Sequence, residues 1–283
     1  MHPYPPIPDA ADAPDELFDQ GHLWLTEKLD GAHLRLTLRD TGVLAFGDRN
    51  RDWPDDQVPE EYRHAVRHVR ETVDRAALQD AVDSAGDLVV YGVAMHRQTI
   101  DYDWDRVPSF VGFDVWRADR DAFLPPDIAE KVVEGIGLAS VNTFDREVPA
   151  KHFDPEGYEV PDSAWYDGPA AGVVVKNKRG LRAAIESDRV DLQEGPTPVD
   201  ASAEEFAERV VTEGMVRRIV RDLTDRAGGS PPRPEAIHQR AVDRVFRAEY
   251  GRITHHESPV DPAAVTSAVA GRVHSLFQRI DST

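Results

Sequence analysis

Residues 22–38 constrain the fold more than any other stretch of the chain. Leu23 and Leu25 run into Thr26-Glu-Lys-Leu-Asp-Gly31, and apolar alternation resumes at Leu34, Leu36 and Leu38. A period of two reads as strand, so this stretch is two strands joined by a short connection that presents Lys28. A lysine becomes a nucleophile only when its amine loses a proton, which takes a neighbouring cation or partial desolvation. Gly31 lets backbone come close to a ligand. Taken alone, the pentapeptide reads equally well as a surface hairpin with a Glu/Lys pair.

Lysine is scarce, which sharpens the first reading. The chain holds Lys28, Lys131, Lys151, Lys176 and Lys178 among 33 lysines and arginines, against 52 acidic residues, for a net charge of −19. A lysine kept where arginine carries the generic positive charge points to specific chemistry. An acidic, lysine-poor, cysteine-free composition looks halophilic: carboxylates hold hydration, and high salt screens their repulsion. The acidity therefore does not exclude an anionic substrate. The absence of cysteine excludes disulfides, thiolate metal sites and thiol nucleophiles. No apolar run approaches the roughly 18 residues that span a membrane. The first twenty residues lack the basic start and apolar centre of a secretory signal, so a cytoplasmic location is expected.

Along the chain, residues 1–20 read as an irregular, proline-rich lead-in. Residues 22–47 alternate as strands, followed by the polar loop Phe46-Gly-Asp-Arg-Asn-Arg-Asp52. Tyr62, Val66, Val69, Val73 and Leu78 form an apolar stripe that predicts a helix over 57–82. Strands are predicted at 88–91, 110–116, 172–176 and 181–185, with a tight turn at Asn177-Lys-Arg-Gly180 and a helix over 126–136. Residues 137–168 read as loop-rich with short strand pieces. Residues 191–200 form a linker, and four helices follow at about 203–211, 214–227, 234–250 and 261–279. Ser202-Ala-Glu-Glu has the form of a capping box. Antiparallel strands with inserted helices predict an α+β domain at 1–192, and the later pattern predicts a small all-helical domain at 198–283.

Four segments fall in order: Glu27-Lys-Leu-Asp-Gly31; Phe46-Gly-Asp-Arg-Asn50; Val90-Tyr-Gly92 with Phe110-Val-Gly-Phe-Asp-Val-Trp116; and Tyr166-Asp-Gly through Gly172-Val-Val-Val-Lys176. The set resembles the covalent nucleotidyltransferase superfamily, and specifically its ATP-dependent RNA ligases, over about residues 20–187. The resemblance implies an antiparallel-sheet nucleotidyltransferase domain in which Lys28 attacks the α-phosphorus of ATP and forms a lysyl–AMP phosphoramidate. It implies that Asp30 and Gly31 shape the pocket, Arg49 contacts the nucleotide, and adenine stacks on Phe113. It places Lys176 near the phosphates, Arg182 at the first basic position of the last motif, and Glu27 at the adenine edge. ATP, Mg²⁺ or Mn²⁺, and RNA 5′-phosphate and 3′-hydroxyl ends are the implied reactants; no membrane partner is implied and no protein partner is indicated.

The residue chemistry fits these roles. Lys28, Arg49, Lys176 and Arg182 would gather positive charge around one phosphate and free the amine by like-charge repulsion. Phe113 offers a flat apolar face. Three positions depart from the pattern. Val93 stands where the family has a ribose-contacting Glu, Ala171 where it has a metal-binding Glu, and Ala184 where it has a lysine. Asp114, Asp167 and Glu186 are the candidates to compensate. The departures sustain a second reading, a degenerate member that binds nucleotide or RNA ends without covalent chemistry; a third is an adenylyltransferase acting on something other than RNA.

The remaining features read as structural. Trp116 reads as core. Arg49 has a competing salt bridge to Asp48 or Asp52. His33, His96 and His152 lack metal-ligand spacing, and His255-His256 reads as an exposed pair. The arginines of Val216-Arg-Arg-Ile-Val-Arg221 read as a solvated helix face or as phosphate contacts.

Overall fold

The two strands around Lys28 do not pair with each other; they enter different sheets. In the computed structural model, which describes residues 1–80 and 85–281, β1 (His22–Lys28) and β2 (Ala32–Leu38) are followed by β3 (Leu44–Gly47), β4 (Leu88–Ala94), β5 (Phe110–Arg117), β6 (Ala122–Phe123), β7 (Ala139–Ser140), β8 (Thr143–Pro149), β9 (Gly172–Asn177) and β10 (Arg182–Glu186). One sheet has the order β10-β9-β1-β8, and the other has the order β3-β2-β4-β5-β6 with β7 added parallel to β5. The hairpin reading of Glu27–Gly31 is thus overturned. The connection after Lys28 steps from one sheet to the other, and it leaves the amine at the crossing.

The helices are α1 (Glu16–Asp19), α2 (Arg63–Thr72), α3 (Arg75–Asp80), α4 (Pro126–Gly135), α5 (Ala203–Val210), α6 (Glu213–Arg226), α7 (Pro234–Ile253) and α8 (Pro262–Asp281). The chain divides into two units, residues 1–95 with 100–193 and residues 96–99 with 194–283. In the first unit, the six-stranded sheet buries Leu34, Leu36, Leu38, Leu88, Val90, Phe110 and Val115 against Val66 and Val69 of α2, Leu78 of α3, and Ala129 and Val133 of α4. The four-stranded sheet covers its far face with Leu17 of α1 and with Ala150 and Val160, over Leu23, Leu25, Val173 and Val175. Each leucine, valine or phenylalanine buried in this way contributes about 1.5–3 kcal/mol. The remaining face of each sheet borders a cleft.

Two expectations change here. The single helix over 57–82 is broken: Val73 turns to extended backbone after α2, and the Asp74 carboxylate accepts the N–H groups of Ala76 and Ala77, which restarts the chain as α3. Residues 81 and 82 of that expected helix lie outside the described residues. The lead-in is not a loose tail either, because Tyr4 is 3% exposed and Leu17 fully buried.

The second unit is helical, with a core of Phe206, Val216, Ile219, Ile237, Val245, Phe246, Val265, Val269 and Val273. Ser202 and Glu205 form the capping box, and Thr212 caps α6. Residues 96–99 join this unit through hydrogen bonds from Arg97 N–H to the Arg247 carbonyl and from Gly251 N–H to the Arg97 carbonyl. Among the described residues, no helix is long and apolar enough to cross a membrane.

Candidate active site

Strand register brings the cleft residues of the four-stranded sheet into three rows. Lys28 pairs with Gly172, and Gly172 with Glu186; Thr26 pairs with Val174, and Val174 with Ala184; Trp24 pairs with Lys176, and Lys176 with Arg182. Successive strand residues alternate faces, so Lys28, Thr26 and Trp24 share the cleft side, while Leu23 and Leu25 enter the core behind. The facing sheet contributes His33, Val93 and Phe113, and the loop after β3 contributes Arg49. The cleft they line, with Tyr4 and Ile7, has a volume of about 320 Å³.

A bulge in β5 decides what faces this cleft. Gly92 pairs with Gly112 but Tyr91 pairs with Asp114, so Phe113 is an extra residue in the strand. A bulge re-aims the side chains beside it. Phe110 and Val115 reach the core, while Phe113 lines the cleft and Asp114 is buried between the sheets, 2% exposed. Oδ2 of Asp114 lies 3.3 Å from Nζ of Lys176 and 3.0 Å from Nη1 of Arg182, and it accepts the phenol of Tyr4. Lys176 also donates to the Phe113 carbonyl at 2.8 Å. Burial holds the Lys176 ammonium below its ordinary value, with the Arg182 charge acting in the same direction and Asp114 opposing. Burial also pushes the Tyr4 phenol well up, as does the Asp114 charge. One carboxylate thus serves two buried cations, and the cluster keeps a net positive charge.

Lys28 Nζ lies 3.1 Å from Oε1 of Glu186. Arg49 is exposed, and its guanidinium donates to the Pro5 carbonyl at 3.1 Å. The competing salt bridges for Arg49 are not made: Asp48 faces Arg51, and Asp52 faces Arg35. Phe113 is half-buried, with the Tyr4 ring edge-on at 5.1 Å and the Lys176 ammonium 5.4 Å from its centroid. Lys28, Arg49, Phe113 and Lys176 therefore border one cleft.

The other sequence candidates sit differently. Glu27 borders the cleft, but its carboxylate is turned to the Ser163 hydroxyl, the Ala164 N–H and the Asn142 amide. Burial raises it in spite of those bonds. The Asp30 carboxylate accepts the Ile100 N–H, and the Asp30 N–H donates to Tyr102, so Asp30 fixes the loop after β4. Gly31 admits close approach by the neighbouring strand: a Cβ there would lie 2.5 Å from Val93 Cγ1. Arg182 is buried on Asp114, against the Tyr4 and Phe123 rings, behind the cleft. The cations therefore do not converge on one point; Lys176 and Arg182 already share a counter-charge. Val93 and Ala184 line the cleft as apolar surface, Ala171 is buried, and Asp167 lies outside, on Arg106.

Tyr4, Asp114 as the centre of a charge cluster, and His33 escaped the sequence reading as site residues. The first two depend on a bulge and on the docking of the lead-in, which alternation does not encode. The Ala184 N–H donates to the Pro8 carbonyl, and Arg35 donates to the carbonyls of Met1 and His2. His33 had one signal, its place two residues after Gly31 on the face opposite Leu34. Its ring nitrogens are buried without a partner among the described residues.

The donor set does not fit a metal cage made by the protein alone. Hard divalent cations take six or more oxygens. In this cleft the Glu27 carboxylate is turned away, Asp114 holds two cations and Glu186 holds Lys28. Among the described residues, the one group of three potential ligands within 4.8 Å of one another is His255, His256 and Glu257, in the helical unit.

A family model described as RNA ligase matches residues 21–190. Among solved structures, the Naegleria gruberi RNA ligase with PPi superposes with a TM-score of 0.51 at 16% identity, covering 66% of this chain and 56% of that one. Two point mutants of the same ligase, each with ATP and Mn, give a TM-score of 0.51 at 16% and 17% identity, with the same coverage. The chain spans just over half the length of these relatives, and likeness at this identity shows the fold. No curated protein sequence matches.

Proposed function

This chain belongs to the RNA ligase family, and on that premise we propose that it is an ATP-dependent adenylyltransferase that forms lysyl-AMP on Lys28 and joins RNA 5′-phosphate and 3′-hydroxyl ends. The observation that carries the reading is the gathering of Lys28, Arg49, Phe113 and Lys176 around one cleft from four separate parts of the chain. Phosphoryl-type transfer calls for an in-line nucleophile and preorganised positive charge, with little further covalent chemistry from the protein. Lys28 is the nucleophile. Arg49 and Lys176 stabilise charge on the phosphates, and Phe113 gives the base a stacking face. Arg182 acts from behind, through the Asp114 cluster. Glu27, Asp30 and Gly31 hold the crossing that carries Lys28.

Mg²⁺ or Mn²⁺ would enter as the counter-ion of the nucleotide phosphates. It is part of the substrate in this reading, since the protein carboxylates are otherwise engaged. Residues 1–192 form the adenylation domain, and residues 198–283 form a helical domain that helps place RNA. The Naegleria structures with ATP and Mn or with PPi support a nucleotide as the ligand of this fold. The apolar surface of Val93 and Ala184 favours the second reading, a binder without covalent chemistry.

The test is incubation with α-labelled ATP and Mg²⁺ or Mn²⁺ in high salt, followed by denaturing electrophoresis. The protein retains label and Lys28→Ala does not. A folded protein that takes no label overturns the enzyme reading in favour of the binding one. Label retained by Lys28→Ala overturns the nucleophile.

A further inference from the structure

The neighbour of the Lys28 amine is an acid. Lys28, Gly172 and Glu186 lie in one row across β1, β9 and β10. The middle position must be glycine: a Cβ there would sit 2.3 Å from the Ile185 carbonyl oxygen and 3.2 Å from Cδ of Lys28. That gap lets the lysine stem pass over β9 and brings Nζ to 3.1 Å from Oε1 of Glu186. The cations on the same sheet face are committed elsewhere, with Lys176 and Arg182 on Asp114, and Arg49 donates to the Pro5 carbonyl. The neighbouring carboxylates are committed too, with Asp30 on the Ile100 N–H and Glu27 on Ser163 and Asn142.

An ordinary lysine ammonium keeps its proton until about pH 10.4, so adenylation near neutrality requires an acceptor for it. We propose that Glu186 is that acceptor: it takes the proton from the Lys28 ammonium as the amine attacks. This rests on the adenylation reading above and names a further catalytic residue for it. The Nζ lone pair forms the N–P bond to the α-phosphorus of ATP. The bond from that phosphorus to the α,β-bridging oxygen breaks, and pyrophosphate leaves with the electron pair. The first Nζ proton passes to Glu186 and from there to water. The second proton, lost as the phosphoramidate settles, passes to solvent.

The pair is well suited to a test, because the Glu186 side chain is 64% exposed and the Lys28 side chain 27%. Exposed ion pairs add little to stability, so substitution at 186 leaves the fold intact, which a urea midpoint equal to that of the parent checks. The experiment is single-turnover labelling with α-labelled ATP for the parent, Glu186→Gln and Glu186→Asp, from about pH 6 to about pH 10. Glu186→Gln is expected to label about 100-fold more slowly near neutrality, as loss of a general base does. The deficit should close towards pH 10, where solvent takes the proton, and Glu186→Asp should recover part of the rate. Glu186→Gln labelling at the parent rate, or with the same deficit at every pH, overturns this role and leaves the adenylation reading standing. A parent protein that never labels overturns both.

Discussion

Tyr4 and Asp114, 110 positions apart, share a buried hydrogen bond in which the phenol donates to the same Oδ2 that faces Lys176 and Arg182. The lead-in is thereby tied to the charge cluster behind the cleft, and the two substitutions should differ in severity. Asp114→Asn leaves two buried cations without a counter-charge and should destabilise by about 3–5 kcal/mol. Tyr4→Phe removes one donor and should cost about 1–3 kcal/mol. Urea denaturation of both variants checks this, and an Asp114→Asn loss smaller than that of Tyr4→Phe would remove Asp114 from the centre of the cluster.

The crossing between sheets makes a second prediction. A methyl on Gly31 would lie 2.5 Å from Val93 Cγ1 and 2.9 Å from the Ala94 carbonyl oxygen. Gly31→Ala should therefore destabilise by about 1–3 kcal/mol through overpacking. Val93→Ala removes the nearer obstacle but not the backbone oxygen. The double variant should recover part of the loss, and strict additivity would show that the two positions do not meet.

These two cases show where the sequence was informative and where it was not. Helix positions in 203–281 were legible because their stripes, the Ser202 cap and the Gly/Pro breaks agree locally. The strand at 172–176 and its return after Gly180 were legible for the same reason. The pairing of strands was not: β1 and β2 look like a hairpin because nothing local distinguishes a turn within one sheet from a step between two. The place of Asp114 was hidden by the bulge at Phe113, which turns its carboxylate away from the helix-covered side to which alternation from Phe110 assigns it, and into the space between the sheets. Tyr4 was hidden because its partners lie far along the chain. Lys28 was legible as the nucleophile of a resemblance and Glu186 as a candidate compensating carboxylate, but their pairing emerged only from three-strand register.

His33 predicts a pH dependence. Burial, with the Arg49 and Arg35 charges in support and Asp48 and Asp114 opposing, lowers its imidazole from an ordinary 6.5 to about 4. The unfolded chain then binds more protons than the folded one between those values, so stability is full above about pH 6.5 and falls as pH drops towards 4. The loss attributable to this residue approaches about 3 kcal/mol below that window. Denaturation curves at a series of pH values should show a shallower decline for His33→Gln. An identical decline would assign the effect to other groups.

The two phosphate-facing cations should separate in a way that tests the cleft itself. Arg49 is exposed and touches the rest of the protein through the Pro5 carbonyl. Lys176 is 4% exposed and holds Asp114 and the Phe113 carbonyl. Arg49→Ala should therefore change stability by no more than about 0.5 kcal/mol. It should still weaken nucleotide binding about ten-fold or more, since a hydrogen bond to a charged group is worth about 1.5–3 kcal/mol. Lys176→Met keeps most of the side-chain volume but leaves Asp114 with Arg182 as its one cation beside the Tyr4 phenol, so it should lower both stability and affinity. Titration with ATP, read against urea midpoints, distinguishes the cases. If Arg49→Ala binds ATP as the parent does, the loop after β3 is not part of the nucleotide site, and the cleft narrows to what Lys28, Phe113 and Lys176 enclose.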